Sequence, residues 1–390
     1  MAMGKLRFSR KTAAVGAVMA LSPLMIMSLA SLAPSADECI IYAAEFSARL
    51  AAGEVFSGDA AGIVPDDEDL PLDKPEEVYN AYLSFDDSFM ISSGELFIPS
   101  GENEELEVSE EHDTGAEPYP ESIESHDGVI EAMTYGFYRG DDYVNLDGGG
   151  QVRNVTSVSN DALLEESRKG YDFVIEKNGE PQVLIMHTHE TESYEPYRRD
   201  FYDSSFTSRT TDDSMNMAAV GDEIAAQLEN AGIGVIHDVT KHDYPSYNNS
   251  YDRSRITVQE ILEEYPSIKV VLDIHRDAIE REDGTRIAPT IEINGKNAAQ
   301  IMIISGCDDG TMDMPNYMEN FRFTAALQQQ LEKDYPGLAR PVLFDYRKYN
   351  QDLTTGSILI EVGGHANSID EALYSGELIG KALVNLFEDT

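Results

Sequence analysis

From about residue 182 onward, short apolar runs alternate with stretches of helical spacing, and this alternation restricts the chain to few folds. Residues 183–186 (VLIM), 234–236, 269–274 (KVVLDI) and 357–362 (SILIEV) are brief, rich in β-branched residues and flanked by polar ones, as buried strands are. Between them, residues 215–231 place Met217, Val220, Ile224 and Leu228 at helical intervals, with Asp213 as the expected N-cap and Gly232 as the stop. Residues 256–265 read as a helix closed by Pro266, and residues 318–335 as a long helix. A last helix runs to Phe387, opened by the capping-box pattern Ser368-Ile369-Asp370-Glu371. Residues 290–293 and 301–305 flank Asn294-Gly295, a hairpin-type turn. The pattern predicts an α/β fold: a twisted, mostly parallel sheet with helices on both faces. Ligand sites in such folds gather at the carboxyl ends of strands.

Three of those ends carry side chains competent to bind a metal. The first strand runs into His187-Thr188-His189-Glu190-Thr191-Glu192, the KVVLDI strand into His275-Arg276-Asp277, and the SILI strand into Glu361 and then Gly363-Gly364-His365-Ala366-Asn367. A catalytic zinc needs about three nitrogen or oxygen ligands, an open position for water and a nearby general base. A lone strand-end histidine is usually structural, and HxHxxE by itself is a weak motif. Two histidines two residues apart, with a third on another strand, carry more weight. Glu361 ends an apolar strand; a buried carboxylate costs several kcal/mol unless paired, so it either caps a loop or takes a proton beside a metal-bound water. Asp273 is expected to point the other way in its strand and brace the fold.

The N-terminal part has another character. Lys5, Arg7, Arg10 and Lys11 precede an uncharged stretch from Thr12 to Ala36, long enough to span about 30 Å of hydrocarbon. Positive charge before the span puts the N-terminus in the cytoplasm and the remainder outside a cell membrane, in single-pass topology. A cleaved signal peptide is the competing reading, because small residues close the stretch. Either way residues 1–36 form an export element. Residues 37–180 read as an acidic extracytoplasmic spacer, partly disordered, and residues 181–390 as the catalytic domain. The net charge of −44 argues against nucleic acid as a partner. The two cysteines, Cys39 and Cys307, are too few for a CxxC zinc pattern and are read as unpaired.

The stretches VLIMHTHETESY, VVLDIHRDAI, YPGLARPVLF, YNQDL and SILIEVGGHANSIDEA occur in that order, and with them the chain resembles the stage II sporulation protein P family, septal peptidoglycan hydrolases of endospore-forming Firmicutes. The domain is in turn similar to zinc-dependent N-acetylmuramoyl-L-alanine amidases. That resemblance implies His189 rather than His187 as the first zinc ligand, His275 as the second, and Glu361 as the general base. The acidic ligand is left between Glu192 and Asp212, with His187 as an extra ligand or substrate contact. Arg276 and Asn350 are candidates for contacting glycan or stem peptide. The resemblance further implies the bond between N-acetylmuramic acid and L-alanine as substrate, peptide cross-links as a second target, and stage II sporulation proteins D and M as partners at the engulfing septum. The rival expectation is a degenerate, non-catalytic wall-binding scaffold.

Overall fold

A computed structural model describes residues 125–388. The export element and spacer residues 37–124 lie outside them; among the described residues no helix is long and apolar enough to cross a membrane. In chain order the elements are β1 (Gly128–Met133), β2 (Tyr143–Asn145), β3 (Gln151–Asn154), α1 (Asn160–Ser167), β4 (Pro181–Met186), β5 (Phe201–Tyr202), α2 (Met217–Asn230), β6 (Gly234–His237), α3 (Ser250–Glu264), β7 (Val270–Asp277), β8 (Arg286–Ile293), β9 (Lys296–Ala299), β10 (Ile301–Gly306), α4 (Tyr317–Asp334), β11 (Val342–Asp345), β12 (Gly356–Gly364) and α5 (Ile369–Glu388).

Eight strands form one mixed sheet in the order β2-β3-β11-β10-β12-β7-β4-β6, and four form a smaller sheet, β5-β1-β8-β9. In the large sheet β12, β7, β4 and β6 run parallel, whereas β10 meets β12 antiparallel. The expected α/β class holds, with the sheet mostly parallel.

Alternation along each strand sorts side chains to two faces. Val183 and Ile185 of β4, Val270, Leu272 and Ile274 of β7, and Ile358, Ile360 and Val362 of β12 enter the main core with α1, α2, α4 and α5. Leu184, Met186 and Val271 face the other way, onto Val258 of α3. Helices cover both faces, but unequally, and the face with the lone helix is the one that carries chemistry.

Several expectations need correction. The last part of the supposed spacer is folded: β2 and β3 extend the large sheet through Val152 beside Val342, β1 lies between β5 and β8, and Leu163 of α1 is buried in the main core. Strands of three and four residues are too short for a periodic signal, so they escape sequence reading. Asn294-Gly295 joins β8 to β9 rather than to β10; both residues have positive φ (52° and 79°), the two-residue turn matched to strand twist. The N-cap of α2 is Asn216, whose side chain accepts from Ala218 N, while Asp213 pairs with Lys241. Helix α3 begins at Ser250, well before residue 256. The capping box of α5 forms as expected: Ser368 N donates to Glu371 Oε2 (3.1 Å) and Glu371 N to Ser368 Oγ (3.4 Å).

Candidate active site

The end of β7 sets the site. Asp273 and His275 are two residues apart and so share a face, together with Glu361, whose Cα is the register partner of His275 on β12. The expectation that Asp273 points away is therefore wrong, though it does brace the fold: its carboxylate accepts Thr188 N and Thr188 Oγ1, each at 2.8 Å. It also stands 2.8 Å from His275 Nε2, close enough to pair electrostatically, although that nitrogen lacks the angle of a hydrogen bond.

The loop after β4 brings the other members. His189 is buried, with its ring perpendicular to that of His275 at 5.2 Å between centroids. Glu192 Oε2 lies 3.7 Å from His275 Nδ1 and accepts Arg276 N at 3.2 Å. Residues that sequence reading missed complete the wall. Tyr247 stacks on His189 at 4.4 Å, and Ser250 Oγ approaches His189 Nδ1 at 3.4 Å. Asp243, held by Thr191 Oγ1 (2.6 Å) and Arg209 Nη1 (2.8 Å), lies 4.0 Å from the same nitrogen. Tyr251 stacks on Tyr349. Asp243, Tyr247, Ser250 and Tyr251 all come from residues 243–251, whose density of aromatic and polar residues was the one signal available.

Electrostatics separates the roles. Burial, with His275 and Arg209 nearby, holds His189 well below the usual imidazole range, so it is neutral, the form that ligates metals. Burial also opposes charge on His275, but Asp273, Glu192 and Glu361 outweigh it and raise the pKa to about 9. Burial pushes Glu361 up to about 8, helped by Asp277 and Glu192 and opposed by His275 and Arg340. Its Oε2 is buried without a hydrogen-bond partner.

Other expected residues lie elsewhere. The ring of His187 faces the helix-bearing side, where Nδ1 meets Ile274 O at 3.0 Å and Nε2 meets His237 Nε2 at 2.9 Å. A Cβ on Gly221 of α2 would come within 2.8 Å of it, so that glycine makes room for the ring. Asp212 accepts Ser214 N and Oγ in a turn before α2, apart from the histidines. Arg276 is buried, its guanidinium donating to Ser193 O (2.7 Å), Ser208 O (2.7 Å) and Asp277 O (3.2 Å), and it ties two loops together. Asn350 donates to Tyr251 O and Ser254 Oγ and accepts from Arg255, which fastens its loop to α3 and occupies its amide.

As the side chains stand, no group of three or more His, Cys, Asp or Glu among the described residues closes tightly enough to hold a metal. The donor types nonetheless fit zinc. Two imidazoles and a carboxylate converge, and the 3.7 Å between Glu192 Oε2 and His275 Nδ1 matches two ligands each about 2.0–2.1 Å from one ion. Three carboxyl side chains, Asp273, Glu192 and Glu361, surround His275, a setting that suits a divalent cation.

Fold and site together define a mixed α/β protein with a histidine–carboxylate cluster at the carboxyl edge of its main sheet. The chain belongs to the stage II sporulation protein P family, whose pattern it matches over residues 101–384. It is 34% identical over 202 residues to stage II sporulation protein P of Bacillus subtilis (strain 168), a match covering 48% of this chain and 47% of the relative. The chain thus spans about half the length of that relative. Similar solved structures include the N-acetylmuramoyl-L-alanine amidase AmiC2 of Nostoc punctiforme (13% identity, TM-score 0.32, 54% of this chain and 96% of that one). The N-acetylmuramoyl-L-alanine amidase of Clostridium difficile 630 is another (14%, 0.32, 54% and 97%).

Proposed function

We propose that this chain is a peptidoglycan hydrolase of sporulation, zinc-dependent, cutting the amide bond between N-acetylmuramic acid and L-alanine. The observation that carries the reading is the unpartnered Glu361 carboxyl lying in register beside His275, with His189 and Glu192 closing the same edge. His189, His275 and Glu192 would hold the ion; Asp212 is engaged by Ser214 and His187 by His237. Bound zinc would lower the pKa of a water towards about 7 and polarise the scissile carbonyl.

The residues themselves divide the work. Glu361 Oε2, in register beside His275 and without a hydrogen-bond partner, would take the water's proton and return it to the leaving amine. Asp273 pins Thr188 at the root of the His189 loop and flanks His275. Arg276 fixes Glu192 through its own N–H and ties down the carbonyls of Ser193 and Ser208. Tyr247 holds the His189 ring plane.

The setting we propose with this reading is the outer face of a sporulation septum, with an anchor through residues 1–36 and stage II sporulation proteins D and M as partners; membership of the family supports the sporulation context. The test uses the full chain, measuring bound zinc and release of stem peptides from purified sacculi. Zinc binding with release, both lost in His189→Ala, supports the proposal. Full activity in Glu361→Gln overturns the base, activity without zinc overturns the metal, and sacculus binding without release identifies a scaffold.

A further inference from the structure

A groove of about 540 Å³, within the size range of small-ligand sites, opens away from the histidine cluster. The β8–β9 hairpin supplies Gly295, Lys296 and Asn297, α2 supplies Glu223, the loop after β4 supplies Arg198, and α5 supplies Asp370 through Glu377. None of the histidines or carboxylates of the candidate active site lines it.

Its charges are of both signs, and one carboxylate oxygen lacks a hydrogen bond although an arginine pairs with it. Glu371 is 4% exposed. Its Oε2 is engaged by Ser368 N and Asn367 Nδ2, but Oε1 is buried with no hydrogen-bond partner, and Arg198 Nε stops 3.7 Å away. A buried carboxylate oxygen left without a hydrogen bond is destabilising, so this one is poised for a donor. Glu223 adds a second anionic side chain to the wall. Lys296, whose ammonium lies 4.9 Å from the centroid of the Tyr374 ring, and Arg198 provide cations with free donors.

We propose that this groove binds a short free peptide, its terminal ammonium taken by Glu371 Oε1 and its terminal carboxylate by Lys296 and Arg198. Leu373 and Tyr374 supply the apolar wall for the intervening backbone and small side chains. Asn367 joins the two regions of the protein, since its Oδ1 accepts Gly364 N at the end of the strand that carries Glu361. The groove is thus a second peptide site, separate from the proposed hydrolytic edge.

Trialanine, N-acetyl-trialanine and trialanine amide are titrated into the full chain, and binding is read by calorimetry and by NMR shifts of Leu373 and Tyr374. Trialanine should bind, and removing either charge should weaken it at least about tenfold, the effect of one charge-assisted hydrogen bond. The exposed changes Lys296→Gln and Arg198→Gln together should bring trialanine down to the affinity of its amide. Glu371→Gln should bring it down to that of the acetylated peptide; because Glu371 also caps α5, Glu223→Gln is measured alongside and should weaken ammonium recognition without touching the cap. Absence of binding, equal affinity for all three peptides, or wild-type affinity in the Lys296/Arg198 double variant overturns the proposal. Since binding is read without hydrolysis, failure of the hydrolase reading leaves this outcome distinct.

Discussion

His275 and Glu361 occupy matching register positions on the adjacent parallel strands β7 and β12, so that an imidazole and a buried carboxyl face the same side of the sheet. The surrounding carboxylates, Glu361 among them, raise the pKa of His275 against the effect of burial, whereas burial raises that of Glu361 and His275 opposes the rise. This pairing makes Glu361→Gln the most informative single change. The variant keeps shape and loses the proton acceptor, so stem-peptide release should fall by about 100-fold or more, within the usual range for a general base. Bound zinc, measured by elemental analysis, should stay at the wild-type level.

The two histidines of the HTH segment should behave differently. His189→Gln should lose zinc, because His189 faces His275, whereas His187→Gln should keep it, because His187 pairs with His237 on the far side. Loss of the buried His187–His237 contact and of the bond to Ile274 O should appear as destabilisation of about 1–3 kcal/mol in urea unfolding. Equal zinc loss in both variants would contradict the division.

Arg276→Lys tests bracing against substrate contact. A lysine cannot serve the carbonyls of Ser193, Ser208 and Asp277 at once in the geometry of a guanidinium. The expected result is a loss of about 2 kcal/mol or more in unfolding free energy, with KM for sacculi changed little relative to kcat. A raised KM at unchanged stability would restore Arg276 to a substrate-binding role.

Asp273→Ala removes the acceptor of two buried donors from Thr188. Each unsatisfied donor costs about 1–3 kcal/mol, so the midpoint of thermal unfolding should drop by several degrees. Zinc affinity should fall as well, because the root of the His189 loop and the flank of His275 are released together.

In the capping box of α5, Ser368→Ala should cost about 1 kcal/mol, read from the urea midpoint at unchanged m-value. That box was legible from four residues, because both of its hydrogen bonds are local.

Local order explains what the chain states openly. Strands β4, β7 and β12, helices α2, α4 and α5, and the histidines at strand ends all follow from periodicity and caps within short windows of sequence. The direction of Asp273 was available from the same two-residue period. Tertiary structure alone decided the rest, since it depends on register and on contacts between distant segments. It placed His275 opposite Glu361, brought Glu192 rather than Asp212 to their edge, turned His187 onto His237, buried Arg276 among loop carbonyls, and carried Asp243 and Tyr247 to His189. It also drew β1, β2 and β3 out of an apparent spacer; β2 and β3, of three and four residues, become stable only when neighbouring strands supply their hydrogen bonds.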